Sequence, residues 1–452
     1  MIGGPPFVPV RLLDAELSEP FAAVAAGTTR DGIAFGRARV LVKLHGWPMG
    51  LLDLALGDGP IDAGAVDAAL DPETAARISR HLAADGLTAD GPHRVGATGI
   101  AERPACLEAR RTVLAAPPTV SVVVPTIDRP EALRRTLIGL REQDLAAGEV
   151  IVVDNAPDTS GAGAVVLELQ PGFPALRRVE EPRRGASRAR NRGLAAATAE
   201  IVAFLDGDAR PDRSWLAALV TAITAPGPDG ELPACATGAI LPDDLETEPQ
   251  LWMEEWGGYW KGFERRTFRL RDRGAVGPMF PFAIAVCGSG ASMAFRRGEL
   301  AALGGFDAAL GPGSPARSAE DLAAFLDLIA AGRTIVYEPG AIVWHEQPRT
   351  EERFRATLRA YGVGLTAYLA RHLAAHPRDT LALAAAMPAA TLHLLRPGSA
   401  RNRRRSASFP SGTLRDEASG MLRGPLAYAR GRRRIRRERG LPPGGRAASS
   451  AR

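Results

Sequence analysis

The sequence predicts an α/β protein: a mostly parallel sheet flanked by helices, with a small N-terminal α/β extension and a basic C-terminal tail. Three observations carry this. Between residues 117 and 375, apolar runs of strand length alternate with helix-length segments, the pattern of a parallel sheet whose strands are buried on both faces. The run Ala115-Ala-Pro-Pro-Thr119 separates that region from the first 116 residues, because consecutive prolines continue neither helix nor strand. From Arg396 to Arg452, sixteen arginines stand against Asp416, Glu417 and Glu438, a net charge of +13 in a chain of +5 overall. The expected division is therefore 1–116 as an accessory domain of unknown role, 117–375 as the principal domain, and 376–452 as a helical, then Arg-rich and partly disordered tail.

At 452 residues the chain exceeds what one core usually serves, and 46% apolar with 24% charged residues is a globular composition. Cys106, Cys235 and Cys287 are widely spaced, odd in number and in no Cys-x-x-Cys pair, which fits a reducing cytosol rather than a disulfide framework or a zinc site. The first residues, MIGGPPFVPVRLLD, lack the charged and long apolar regions of a secretory signal, and no stretch of spanning length is uninterrupted. Leu381 to Leu395 comes nearest, but Pro388 and His393 break it, so it reads as a buried or interfacial helix. A cytoplasmic protein is expected, with peripheral contact at the inner face of the cell membrane through the tail. Tail charge of this kind selects anionic lipid headgroups or nucleic acid, or is merely solvated; anionic membrane is the partner expected here, and nucleic acid is not.

In the N-terminal extension, Ala38 to Leu44 reads as a strand, His45 to Gly50 as a turn, Leu51 to Leu56 as a second apolar run, and Pro72 to Ala84 as a helix. In the principal domain, Val120–Val124 is a buried strand, followed by a helix from Pro130 to about Gln143. Strands at Val150–Val153, Ala175–Val179 and Ile201–Leu205 alternate with helices near Ala164–Leu169 and Ala186–Ala197. Parallel sheets bind ligands beyond the carboxyl ends of their strands, so polar residues just after each strand are the informative ones. Pro125-Thr-Ile-Asp-Arg129, Asp154-Asn155 and Asp206-Gly-Asp208 occupy those three places.

Two carboxylates separated by Gly207 can turn toward one divalent cation, which would bind a diphosphate and neutralise charge growing on it as a leaving group. No G-x-G-x-x-G or P-loop follows the first strand, against a dinucleotide or P-loop site. Thr126, Asp128 and Arg129 instead offer side chains for a base, ribose or phosphate; Asp154 suits a ring nitrogen or, equally, a turn. The run Arg183 to Asn191 adds cations at a helix start, suited to phosphate oxygens. Further on, Glu320 and Asp321 open a helix over Leu322 to Ala331, either as first-turn acids or as a general base. Two short strands, Ile335–Tyr337 and Ala341–Trp344, lead to His345, a candidate third metal ligand. Cys287 to Arg297 reads as a glycine-rich loop entering a strand.

In order, VSVVVPTIDRP (120–130), IVVDN (151–155), ASRARNRGL (186–194), IVAFLDGD (201–208), GSGASMAFRR (288–297), GGFD (304–307), AEDL (319–322) and WH (344–345) resemble the family-2 glycosyltransferases, inverting enzymes of the GT-A fold. The resemblance implies a nucleotide-diphosphate sugar donor, Mg²⁺ or Mn²⁺, and single-displacement transfer with inversion to a hydroxyl of a glycolipid or surface-polysaccharide precursor. Carried over by motif, Pro125, Thr126, Arg129 and Asp154 would hold the nucleoside with Arg190 near it. Asp206 would contact ribose or metal, Asp208 would ligate the metal and His345 would complete the site. Asp321 would deprotonate the acceptor, with Glu320 as the fallback. Ala323 and Ala324 depart from the second acid that many members carry after this pair. The Q-x-x-R-W element of processive synthases is absent, which favours one sugar per acceptor. A sugar nucleotidyltransferase would need a glycine-rich, basic first loop, which Pro125 to Arg129 is not. Retention of both acidic pairs speaks against a non-catalytic, membrane-tethered sugar-nucleotide-binding protein.

Overall fold

Valine-rich strands organise the larger of two sheets in the computed structural model, which describes residues 7–440 except 58, 88–103, 228, 397 and 400. Strands β1 (Val10–Glu16), β2 (Arg37–Leu44) and β3 (Trp47–Ala55) form the small N-terminal sheet, β1 parallel to β2 and β2 antiparallel to β3. The larger sheet takes β4 (Val120–Thr126), β5 (Glu149–Asp154), β6 (Leu176–Glu180), β7 (Ile201–Leu205), β8 (Ala209–Pro211), β9 (Cys235–Pro242), β10 (Arg266–Phe268), β11 (Ser292–Arg296) and β12 (Ile335–His345). Its order is β10-β12-β9-β11-β7-β4-β5-β6, with β8 paired to β12. The β7-β4-β5-β6 half is parallel, as expected; β11 runs antiparallel between β7 and β9, and β12 is parallel to β9.

Alternation along β4 builds two cores at once. Val122 and Val124 face Leu133, Leu137 and Trp215, while Val123 faces Ile151, Phe204 and Phe295. The helix Pro130–Arg141 starts with its proline where no N–H is missed. The helix Ala186–Ala196 lies so close to the sheet that a side chain on Gly193 would overlap Val123.

Three local differences from the sequence reading have physical causes. The turn expected over His45–Gly50 is only His45-Gly46, both at positive φ; Pro48 is already inside β3, accommodated by a register shift opposite Val42 and Lys43. The two short strands expected after residue 334 are one, β12, irregular between Glu338 and Ile342, where the Gly340 N–H donates to Glu338 at 2.9 Å. The helix Thr380–Leu395 is largely exposed, with Leu381 82% accessible, so of the two readings, buried or interfacial, the first does not hold.

The Arg-rich stretch is helical over Thr413–Met421 and Gly424–Arg439; residues 441–452 lie outside the described residues. It docks rather than folding alone. Side chains on Gly362 or Gly420 would overlap the facing backbone, so the helices Glu351–Ala375 and Thr413–Met421 meet nearly backbone to backbone. Arg355 and Arg359 then donate to Asp416 at 2.8 and 2.7 Å. No helix among the described residues is long and apolar enough to cross a membrane.

Candidate active site

Gly207 brings the acidic turn over the end of β4. Its φ is ordinary, but a Cβ there would lie 2.8 Å from the Pro125 carbonyl oxygen and 3.3 Å from Thr126 Oγ1. Close approach, more than a special turn, is what the missing side chain permits. At the same edge β12 ends on His345, which is paired with Ala209, so the imidazole faces the turn. One ligand atom from each of Asp206, Asp208 and His345 lies within 4.8 Å of the others.

His345 Nε2 is 3.3 Å from Asp208 Oδ1 and 3.8 Å from Asp206 Oδ2, while Nδ1 lies 2.7 Å from the Glu346 carbonyl oxygen and donates to it. That bond fixes the ring, so loss of the Nε2 proton would leave a lone pair aimed at the two carboxylates. Burial pushes His345 down, but Asp208 and Asp206 outweigh it and raise the group to about 9. Burial holds Asp206 above the usual carboxylate range against the pull of Arg190. It acts likewise on Asp208, where His345 and Arg129 prevail and keep the acid below its ordinary value.

Arginines complete the charge balance. Arg129 pairs with Asp208 and donates to Glu346 at 2.9 Å; Arg135 also pairs with Glu346. Arg190, with its side chain only 5% exposed, donates to Asp206 at 2.7 Å and pairs with Glu320, joining the two acidic motifs. Burial raises Glu320 to about 7, with Arg190 opposing and Asp321 reinforcing.

Asp321 opens the helix Glu320–Ala330 and receives the Gly290 N–H at 2.5 Å and its neighbour Leu322 N–H at 2.8 Å. Its carboxylate and the backbone of Gly288-Ser-Gly290 line a cavity of about 440 Å³ that also touches Asp206, Arg190 and His345. Trp256, Tyr259, Lys261 and Tyr361 line the same cavity and form a largely aromatic part of its wall. Burial pushes the Lys261 ammonium down to about 8, and the Tyr259 ring lies 5.8 Å from that of His345. This wall was not anticipated from the sequence, although Trp252, Trp256 and Trp260, spaced four apart, were the available signal.

The structure thus brings Thr126, Arg129, Arg190, Asp206, Asp208, Glu320, Asp321 and His345 to one edge, with Pro125 against Gly207. Asp154 stands apart. Its fully buried carboxylate takes Arg178 Nε and Nη2 at 3.0 and 2.7 Å on one oxygen, and Ala156 N and Ser160 Oγ at 3.1 and 2.7 Å on the other. Those contacts are of a turn aspartate. Beside it, Asn155 clamps the 181–185 segment through Glu181 O, Arg183 O and Gly185 N.

The carboxyl edge of a parallel half-sheet, here carrying an acidic turn beside a cavity that a second carboxylate lines, is where open α/β sheets bind their ligands. Residues 121–287 match the model of glycosyl transferase family 2. The chain is 29% identical over 319 residues to the pre-mycofactocin glycosyltransferase of Mycobacterium tuberculosis, covering 67% of this chain and 58% of that protein, and so spans less than two thirds of that relative's length. It is 31% identical over 115 residues to glycosyltransferase AglE of Haloferax volcanii, covering 25% of this chain and 38% of that one. Among solved structures, the mannosyltransferase PcManGT from Pyrobaculum calidifontis, in complex with GDP-Man and Mn²⁺, aligns with a TM-score of 0.42 at 23% identity, over 73% of this chain and 83% of that one.

Proposed function

We propose that this chain moves a glycosyl group from a nucleotide-diphosphate sugar to a hydroxyl of a glycolipid or surface-polysaccharide precursor, with inversion and with Mg²⁺ or Mn²⁺. The observation that carries the reading is the cluster of Asp206, Asp208 and His345, of which Asp206 and His345 line the same cavity as Asp321. Two carboxylates and an imidazole with its far nitrogen already tied suit a divalent cation of this kind. When bound, the cation supplies neutralisation of the charge that grows on the departing diphosphate.

The chain's own residues do the rest. Thr126 and Arg129, beside the acidic turn, receive the nucleoside diphosphate; Asp154 supports that edge by holding the 154–160 turn. Arg190 orients Asp206 and ties up Glu320. This leaves Asp321, whose hydrogen-bond donors among the described residues are backbone N–H groups, to take the acceptor hydroxyl proton. Aromatic faces at Trp256, Tyr259 and Tyr361 suit a sugar ring, and Leu365, Leu394 and Met421 suit an apolar aglycone. Exposed Leu381, Met387, Leu392 and Leu395, followed by Arg396 and Arg401 to Arg405, suit a peripheral stance on anionic lipid.

Calorimetry tests the metal assignment. Donor binding by the unaltered chain is expected to depend on Mn²⁺, and Asp208→Ala to abolish that dependence. A variant that keeps the full Mn²⁺ effect would overturn the assignment. Release of pyrophosphate, not a nucleoside diphosphate, during turnover would overturn the reaction class.

A further inference from the structure

We propose that the N-terminal unit holds a second metal site of different chemistry: His45, His81, Asp85 and Cys106 form a closed, structural site for Zn²⁺. These four are the other group of His, Cys and Asp side chains among the described residues whose ligand atoms all lie within 4.8 Å of one another. Asp85 Oδ2 is 3.0 Å from His45 Nδ1 and 3.4 Å from His81 Nε2, and Cys106 Sγ is 3.3 Å from His45 Nδ1. Zinc bonds of ~2.0–2.3 Å in a tetrahedron set ligand atoms roughly 3.3–3.6 Å apart, close to these separations.

The surroundings are those of a site rather than of an ordinary ion pair. The side chains of His45, His81 and Asp85 are 4%, 15% and 1% exposed. His81 Nε2 is buried, faces Asp85 and makes no hydrogen bond among the described residues. One carboxylate oxygen therefore serves two imidazoles, one of them without a proper bond, an arrangement that a central cation would satisfy. The other oxygen, Asp85 Oδ1, accepts the Cys106 N–H at 2.6 Å, which orients the carboxylate. His45 itself adopts φ 55° in a two-residue hairpin turn, a place that favours Gly, Asn or Asp, and Glu16 braces the turn by accepting from His45 N and Gly46 N, each at 2.8 Å.

The ligands come from three separate pieces: the β2–β3 turn, the end of the helix Pro72–Ala84, and the short 3₁₀ turn Ala105–Leu107. That last turn leads into the helix Glu108–Ala115, which packs on the helix Trp215–Thr224 of the central domain. A cation there would pin the N-terminal unit to the central domain. The set includes a thiol, which favours Zn²⁺ over the Mg²⁺ or Mn²⁺ suited to Asp206 and Asp208. Spacings of 36, 4 and 21 residues, with no Cys-x-x-Cys, are why the sequence pattern argued against zinc.

The test uses the full chain. Purified without chelator, it is expected to retain about one zinc per chain, as is Asp208→Ala, whereas Cys106→Ser and His81→Ala are expected to lose it. Chelator-stripped protein given Co²⁺ is expected to develop a thiolate-to-cobalt charge-transfer band that Asp208→Ala keeps and Cys106→Ser lacks. Absence of zinc and of that band in the unaltered chain, or undiminished zinc in the Cys106→Ser/His81→Ala double variant, overturns the proposal. Should the variants fail to fold, the cobalt spectrum of the unaltered chain decides alone.

Discussion

Asp321 and Glu320 are adjacent in the chain but differ in company: Arg190 holds Glu320, while among the described residues only backbone N–H groups donate hydrogen bonds to Asp321. Asp321→Asn is accordingly expected to leave donor affinity unchanged and to cut transfer by roughly 10²–10⁴-fold, the usual worth of a general base. Isothermal binding alongside turnover separates the two effects, and full turnover would move the role elsewhere. His345 gives a pH signature in the presence of chelator. Its folded value, about 9, lies above the ordinary 6.5, so its stabilisation is whole below pH 6.5 and fades as pH rises through 9. Thermal melts across that window should show the decline, and His345→Asn should flatten it. The acidic turn and His345 were legible because each directly follows an apolar strand. Asp154 sits at the same kind of place, yet its partner Arg178 comes from the next strand, a pairing that sequence order does not display.

Among the elements, the helix Ala186–Ala196 has little tolerance, because Gly193 meets Val123 with no room for a side chain. Gly193→Val is expected to destabilise the fold by about 1–3 kcal/mol through overpacking. Since Arg190 lies one turn earlier on that helix, donor affinity should fall as well, whereas a wild-type affinity and melting temperature would contradict the packing account. Periodicity located this helix and its parallel strands because each buries apolar residues at a regular interval. It was silent on the helices Thr413–Met421 and Gly424–Arg439, whose burial depends on glycines matched to another helix and on Asp416 receiving Arg355 and Arg359. Polarity alone made that stretch look unable to fold. The split of β12 into two expected strands has a similar origin, since Pro339-Gly340 signals a turn that the sheet absorbs as an irregularity.

At the scale of the whole molecule, the N-terminal unit is fastened to the large sheet region by Lys43 with Asp212 at 3.1 Å, Arg30 with Asp244 at 2.9 Å, and the Val10 N–H to the Leu245 carbonyl at 3.0 Å. At the other end, exposed leucines on Thr380–Leu395 precede the arginines. If this face meets lipid, Leu392→Glu/Leu395→Glu should lower co-sedimentation with anionic vesicles, and salt should weaken what remains. Equal binding by the variant and the unaltered chain would remove the helix from the interface. Substitution is preferable to truncation here, because Arg401, Glu417 and Met421 line the cavity and would be lost with the tail.

That last placement divides recognition along the chain. Thr126, Arg129, Asp206 and Asp208 fall inside the stretch that matches the family model, residues 121–287, whereas Tyr361, Leu365, Leu394, Arg401, Glu417 and Met421 all lie downstream of it. On the proposed reading, swapping the segment that follows His345 between homologues becomes a route to retargeting: the nucleotide grip is kept while that part of the receiving surface is exchanged.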